Sequence, residues 1–211
     1  MPEASHPSSL RVVRAIDLVP QPWKNGAGHT RQIACGPGSA TGDGDWDWRM
    51  SVADVDAAAP FSTFPGIERE LVLLHGEGIR LRFDDDGSEH LLLPPHGRLR
   101  FGGERPLHGA PVAGPTSDFN LMWRRDLLDA ALWQRPLVGS VALFADEGET
   151  WAVHLIAGHA HVQQPGGLRL GSGDTLLFTG EDGRSRLMLD GHGEALLVRI
   201  RDQVLRGDAD P

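Results

Sequence analysis

The residues of this chain best suited to chemistry are cations, amides and hydroxyls spread over its first 125 positions. Lys24, Asn25, Thr30, Arg49, Ser51, Ser62, Arg69, Asp118 and Asn120 fall in or beside short segments bounded by glycine and proline. That placement puts them at expected strand ends and loops. An arginine presents a planar fork that matches a carboxylate, and a lysine a point charge. Lys24 with Arg49 or Arg69 could therefore hold a dicarboxylate if the fold brings them to one hollow. Asn25 and Asn120 add amides that both donate and accept. Trp23, Phe61 and Phe64 are the aromatic residues placed to wall such a pocket. The bland alternative stays open: Lys24 and Arg69 as solvated charges, Asn25-Gly26 as an ordinary turn, Asp118 and Asn120 as turn or buried hydrogen-bonding residues.

Other chemistries find less support. His159 and His161 form an His-x-His, with His154 five residues before the first of them. On a strand the pair shares a face, so a metal could in principle bridge them. No glutamate follows in Val162, Gln163, Gln164 or Pro165, and the next histidine comes only at His192. The expectation is a surface histidine pair, with neither a metal nor another cofactor. Cys35, the single cysteine, precedes Gly36-Pro37-Gly38, which reads as a loop, and no histidine is locally tied to it. Gly-x-Ser-x-Gly, P-loop and dinucleotide fingerprints are all missing.

The elements that must position these residues are almost all strands. Trp46, Trp48, Met50 and Val52 alternate with Asp47, Arg49 and Ser51. Ile79, Leu81 and Phe83 alternate with Arg80, Arg82 and Asp84, after which Asp86-Gly87 predicts a hairpin. The best helical window, Asp126 to Gln134, has mixed spacing. A second half repeats the pattern of the first. Leu74 to Ile79 lies over Ile156 to His161 at an offset of 82 residues, and Leu99 to Phe101 over Leu176 to Phe178 at an offset of 77. Turns are expected at Pro165-Gly166-Gly167 and at Gly171-Ser172-Gly173-Asp174. Hairpin, glycine, second hairpin and Gly-Asp turn in each half predict an all-β bicupin: two tandem double-stranded β-helix (jelly-roll) halves, residues 1–125 and 126–211, packed as one unit. Each such barrel has an open mouth lined by inward-facing residues.

Composition bounds the partners. The formal charge is −9, with acids crowded at Asp84 to Asp86 and in the tail at Asp202, Asp208 and Asp210. No block of Lys and Arg could track a phosphate backbone, which argues against nucleic acid. No apolar run is long enough to span a bilayer, and the first nine residues carry no apolar leader, so no membrane is expected and cytoplasmic residence is. The single cysteine fits that compartment. Exposed sheet edges make a homodimer possible.

Six segments resemble a known family in order. Trp23-Lys24-Asn25-Gly26-Ala27-Gly28-His29-Thr30 is similar to the W-K-N-G-G-G-x-T signature of the HutD/Ves family. Trp48-Arg49-Met50-Ser51-Val52-Ala53, Phe61-Ser62-Thr63-Phe64-Pro65-Gly66 with Arg69, Leu73-Leu74-His75-Gly76-Glu77-Gly78, Phe101-Gly102-Gly103 and Asp118-Phe119-Asn120-Leu121-Met122 with Arg125 resemble its later motifs. Two departures stand out: Ala27 replaces a usual glycine, which requires a negative φ there, and Gln32 replaces a frequent acid. The resemblance implies a small, non-catalytic bicupin that binds a small organic acid of the formylglutamate or urocanate class and tempers histidine utilisation. The alternatives are a metal-free cupin isomerase or hydrolase acting on a small carboxylate through His75, His108 or Asp118, and a protein-interaction module with an empty barrel.

Overall fold

The computed structural model of the protein describes residues 9–38, 46–163, 167–180 and 183–203. Apart from one 3-10 turn at Ala15–Asp17, its regular structure is entirely strand: β1 (Ser9–Val13), β2 (Pro20–Pro22), β3 (Gly28–Gly38), β4 (Trp46–Val55), β5 (Ala59–Pro60), β6 (Ile67–His75), β7 (Ile79–Phe83), β8 (Glu89–Leu92), β9 (Arg98–Gly102), β10 (Leu107–Pro111), β11 (Thr116–Arg124), β12 (Leu128–Ala145), β13 (Thr150–Val162), β14 (Arg169–Gly171), β15 (Thr175–Thr179) and β16 (Ser185–Asp202). Among the described residues no helix is long and apolar enough to cross a membrane.

The chain folds as two units. One is Leu18–Leu127; the other joins the described residues up to Asp17 with those from Leu128 onward. Beside the halves drawn from the sequence, the later boundary falls at residue 127, and β1 belongs with the second half, where it pairs antiparallel to β15. The first unit has two sheets, ordered β2-β3-β4-β11-β6-β9 and β5-β10-β7-β8. The second has the order β1-β15-β13-β16-β12, with β14 alongside β13. Continuous β12, β13 and β16 pair in the same sequence as the broken pairs β4/β5, β6/β7 and β10/β11 of the first unit.

Side-chain parity explains the strands. In β7, Ile79, Leu81 and Phe83 are buried while Arg80 and Arg82 are exposed, and the Asp86-Gly87 turn joins β7 to β8. The aligned glycines Gly76 and Gly158 both have positive φ, +102° and +93°. At Gly158 a Cβ would lie 2.0 Å from the His192 carbonyl oxygen, so β13 and β16 can approach there only with glycine. The strands aligned in sequence take matching partners: β9 pairs β6, and β15 pairs β13.

Two local expectations are corrected. The window at 126–134 is not helical: from Leu128 it is the start of an 18-residue strand. Leu128, Ala130 and Leu132 are buried at period two, and Asp129 on the other face pairs with Arg201 at 3.2 Å. Cross-strand packing with β16 has overridden a weak local pattern. Gly36-Pro37-Gly38 is not a free loop but the end of β3, with Cys35 opposite Arg49 of β4. Most of the turn expected at Pro165-Gly166-Gly167, like Asp208 and Asp210, lies outside the described residues.

Asp174 ties β1 to the second unit. Its Oδ1 accepts the Ala15 N–H at 2.9 Å, and its Oδ2 accepts the Gly171 N–H at 2.9 Å and Arg14 Nη1 at 2.8 Å. An Asp174→Ala variant should lose about 2 kcal/mol of unfolding free energy. The β1 amides should lose hydrogen-exchange protection before those of β13. Unchanged exchange of β1 would refute the anchoring role.

Candidate functional site

The first unit contains a cavity of about 450 Å³. Its floor is the face shared by β4, β11 and β6. Residues two apart on a strand share a face, so the Arg49-x-Ser51-x-Ala53 and Asp118-x-Asn120-x-Met122 patterns each send three side chains the same way. Register stacks them: Ser51 opposite Asn120, Ala53 opposite Asp118, and Met122 between Arg49 on one side and Arg69 on the other. β11 and β6 slip register between Ser117 and Asp118. Such a bulge re-aims the side chains beside it.

The walls come from two connections. Trp23, Lys24 and Asn25 sit on the turn between β2 and β3, closed by the Gly26 N–H on the Trp23 carbonyl at 3.0 Å and the Ala27 N–H on Asn25 Oδ1 at 3.1 Å. Gly26 has φ +70°; Ala27 keeps a negative φ, so its methyl group meets no backbone penalty. Trp23 Nε1 donates to Thr30 Oγ1 at 2.8 Å, and its ring meets Phe61 edge-on at 5.8 Å. Phe61, Ser62 and Phe64 follow β5. The Ser62 carbonyl accepts from Arg69 Nη1 at 3.2 Å. The Arg69 guanidinium lies 5.6, 5.6 and 5.3 Å from the ring centroids of Phe61, Phe64 and Phe101, within cation–π range.

All twelve residues expected from the sequence line this one cavity: Trp23, Lys24, Asn25, Thr30, Arg49, Ser51, Phe61, Ser62, Phe64, Arg69, Asp118 and Asn120. Gln21, Pro22, Ala53, Pro60 and Met122 line it too and were missed. Ala53 and Met122 were readable, since each continues the period-two pattern of its strand. Phe101 was also missed as a partner of Arg69; β6–β9 pairing brings it there from 32 residues away. His75 and His108 do not line the cavity. His75 is exposed at the end of β6, and His108 Nδ1 lies 3.1 Å from Asp84.

The floor is polar, buried and unsatisfied. Ser51 is 0%, Asp118 1%, Arg69 4% and Asn120 8% exposed. Among the described residues, Arg49 Nε, Arg69 Nε, Ser51 Oγ, both Asp118 carboxyl oxygens and Asn120 Oδ1 have no hydrogen-bond partner. Native proteins keep such atoms rare, because each forfeits hydration without a replacement. Burial also moves the charges. It pushes the Arg69 guanidinium down to about 10; nearby Asp118 opposes the shift and Arg49 adds to it. It lowers Arg49 as well, against the influence of Cys35. It raises the Asp118 carboxyl to about 7; Arg69 opposes that shift, and Asp54 adds to it. Asp54 is itself held by Arg31 at 2.5 Å and His29 at 2.8 Å.

Among the described residues, no group of three or more His, Cys, Asp or Glu is arranged to hold a metal. His159 and His161 are exposed on β13 in the second unit, and the His159 ring packs edge-on against His192 with centroids 4.1 Å apart.

The strand order and this inward-facing polar floor define a cupin-like β protein with a hollow, arginine-lined unit. The chain belongs to the HutD family, whose match spans residues 15–197. It is 34% identical over 196 residues to an uncharacterised 21.2 kDa protein from the hutC 3′ region of Pseudomonas putida, covering 92% of this chain and 98% of that one. It is similar to the solved HutD of Pseudomonas fluorescens SBW25, with a TM-score of 0.79, 28% identity, and coverage of 92% of this chain and 100% of that one. It also resembles the protein Ylba of E. coli at a TM-score of 0.67, covering 94% and 93% of the two chains; at 11% identity this shows the fold alone.

Between the ordinary aspartate value near 4 and about 7, native Asp118 holds a proton that the unfolded chain has released. The unfolded state binds fewer protons in that range, so this residue makes stability fall as pH rises from about 4 to about 7. Asp118→Asn should remove that slope. Urea unfolding should find the variant gaining stability relative to wild type at pH 8 and not at pH 5. An equal difference at both values would show that Asp118 ionises normally.

Proposed function

We propose that this protein is a non-catalytic receptor for a small organic acid, of the formylglutamate or urocanate class, and that its occupancy modulates histidine utilisation. The observation that carries this reading is the pair of unpartnered Nε–H donors, on Arg49 and Arg69, in the floor of one hollow. Two guanidinium edges without acceptors ask for anionic oxygens. Lys24, exposed at the mouth, adds a third positive charge for the far end of a dicarboxylate. A volume near 450 Å³ suits a molecule of this size. The link to histidine utilisation rests on the family. Within the same reading, the two units are the two cupin halves of a bicupin, the ligand needs no metal or other cofactor, and the protein works in the cytoplasm, alone or as a homodimer, away from nucleic acid and membrane.

One observation favours a second reading. A buried carboxyl that titrates near 7 in a ligand-sized cavity is suited to moving protons. Of the groups considered for a metal-free isomerase or hydrolase, Asp118 alone lines the cavity. Turnover of urocanate or formylglutamate by purified protein, abolished in Asp118→Asn, would establish that reading over the receptor.

A ligand that binds only the native state stabilises it by about 2.7 kcal/mol at a hundredfold excess over Kd. Urocanate or N-formyl-L-glutamate at millimolar concentration should therefore raise Tm by several degrees. Lys24→Ala and Arg49→Met should each weaken binding about tenfold while the unliganded Tm changes little for Lys24→Ala. No Tm shift with either compound would discard this ligand class.

A further inference from the structure

We infer that the ligand of this cavity must carry an N–H as well as a carboxylate, and that the N–H docks on the Asp118 and Asn120 oxygens while the carboxylate meets Arg49 and Arg69. The inference rests on the receptor reading above and narrows it. The unpartnered atoms of the floor are of both hydrogen-bonding types. The floor has two donors without acceptors, Arg49 Nε and Arg69 Nε. It has three acceptors without donors: both oxygens of Asp118 and Oδ1 of Asn120. Ser51 Oγ can serve either side. A bare carboxylate answers the arginines and leaves the three acceptors as they were. It would also set its own charge against Asp118. A molecule with an amide, imidazole or ammonium N–H beside its carboxylate satisfies both sets. Register supports the separation of the two sets: Ala53–Asp118 and Ser51–Asn120 are neighbouring rungs, and Arg49–Met122–Arg69 is the next.

Charge around Asp118 fixes the sign of the pH dependence. Arg69 of β6 and Arg49 of β4 line the cavity with it, and Asp54, on the other face of β4, acts on it through space. β3 contributes Arg31 and His29, both engaged by Asp54, and Lys24 stands at the mouth. Ionised Asp118 accepts the ligand's N–H as a charged acceptor; protonated Asp118 keeps only a weaker, neutral carbonyl acceptor and repels an anion less. Affinity for an N–H carboxylate should therefore fall as pH drops through about 7. Affinity for an N–H-free carboxylate should rise.

The test is calorimetric titration of the whole chain with two isosteric pairs. N-formyl-L-glutamate is set against 2-formyloxyglutarate, where oxygen replaces the N–H; urocanate is set against 3-(furan-3-yl)acrylate, where furan replaces imidazole. In at least one pair the N–H member should bind about tenfold tighter or more at pH 8, the worth of a hydrogen bond to a charged group. The gap should narrow at pH 5.5, and in Asp118→Asn, whose amide oxygen still accepts but carries no charge, it should be smaller than in wild type at pH 8 and indifferent to pH. Should that variant fail to fold, the pH series on wild-type protein decides alone. Equal affinity within each pair, or a gap indifferent to pH, overturns the N–H requirement and leaves the anion receptor standing. If no member of either pair binds at millimolar concentration, the receptor reading itself falls, and this inference with it.

Discussion

The first unit is organised around the burial of one cation. Arg69 is almost wholly enclosed, and among the described residues its guanidinium has no carboxylate within ion-pairing distance. A buried charge of this kind is normally paired, because losing its hydration costs several kcal/mol. Here the compensation is diffuse. Three phenyl rings present their faces or edges to it, one backbone carbonyl accepts from it, and the Asp118 carboxyl acts on it through space. None of these alone replaces a salt bridge. The arrangement holds the guanidinium in place while leaving its Nε without an acceptor, which is the state a binding site requires before its ligand arrives.

That constraint explains the aromatic residues and the wall beside them. Phe61 and Phe64 follow a two-residue strand, β5, whose only pairing among the described residues is with β10. They are fixed by Trp23 on one side and by Trp46, 6.3 Å from Phe64, on the other. Gly109 lets Phe61 lie against β10, where a Cβ would come within 2.4 Å of the ring. The mouth turn, the β5 connection and the β6 cation are thus one packed assembly. Lys24 and Asn25 take their positions from it.

Much of this was legible in the sequence, and the reason is strand parity. Within β4 and β11, alternation alone says that Arg49 and Ser51, and Asp118 and Asn120, leave their strands on one side. Ordered family motifs then suggest that the two sides meet. What sequence could not supply was register and partner. Nothing near Arg69 announces Phe101, and nothing near β1 announces β15, which lies more than half the chain away. The false helix at 126–134 has the same origin: leucines at mixed spacing satisfy two periods, and only the long ladder with β16 selects one. Cys35 was misplaced because Gly-Pro-Gly reads as a break, while β4 holds that segment in its sheet.

The second unit is the internal control for what makes the first one a site. Its strands pair in the same order, yet the inward positions of β12, β13 and β16 are largely apolar. Leu137, Leu143, Val153, Leu155, Leu176, Phe178, Leu187 and Leu189 pack into one apolar cluster. Its buried histidine is also answered: His154 Nδ1 lies 2.9 Å from Thr175 Oγ1. The equivalent pairing in the first unit surrounds orphaned oxygens and guanidinium nitrogens. Topology is therefore permissive in both units and decides nothing about binding. The difference lies in which residues occupy the inward parity of three strands. Apolar residues there close a core, where each buried group is worth its area. Arg, Asp, Asn and Ser there leave a hollow whose floor is costly when empty, and that cost is what a ligand of complementary donors and acceptors would relieve.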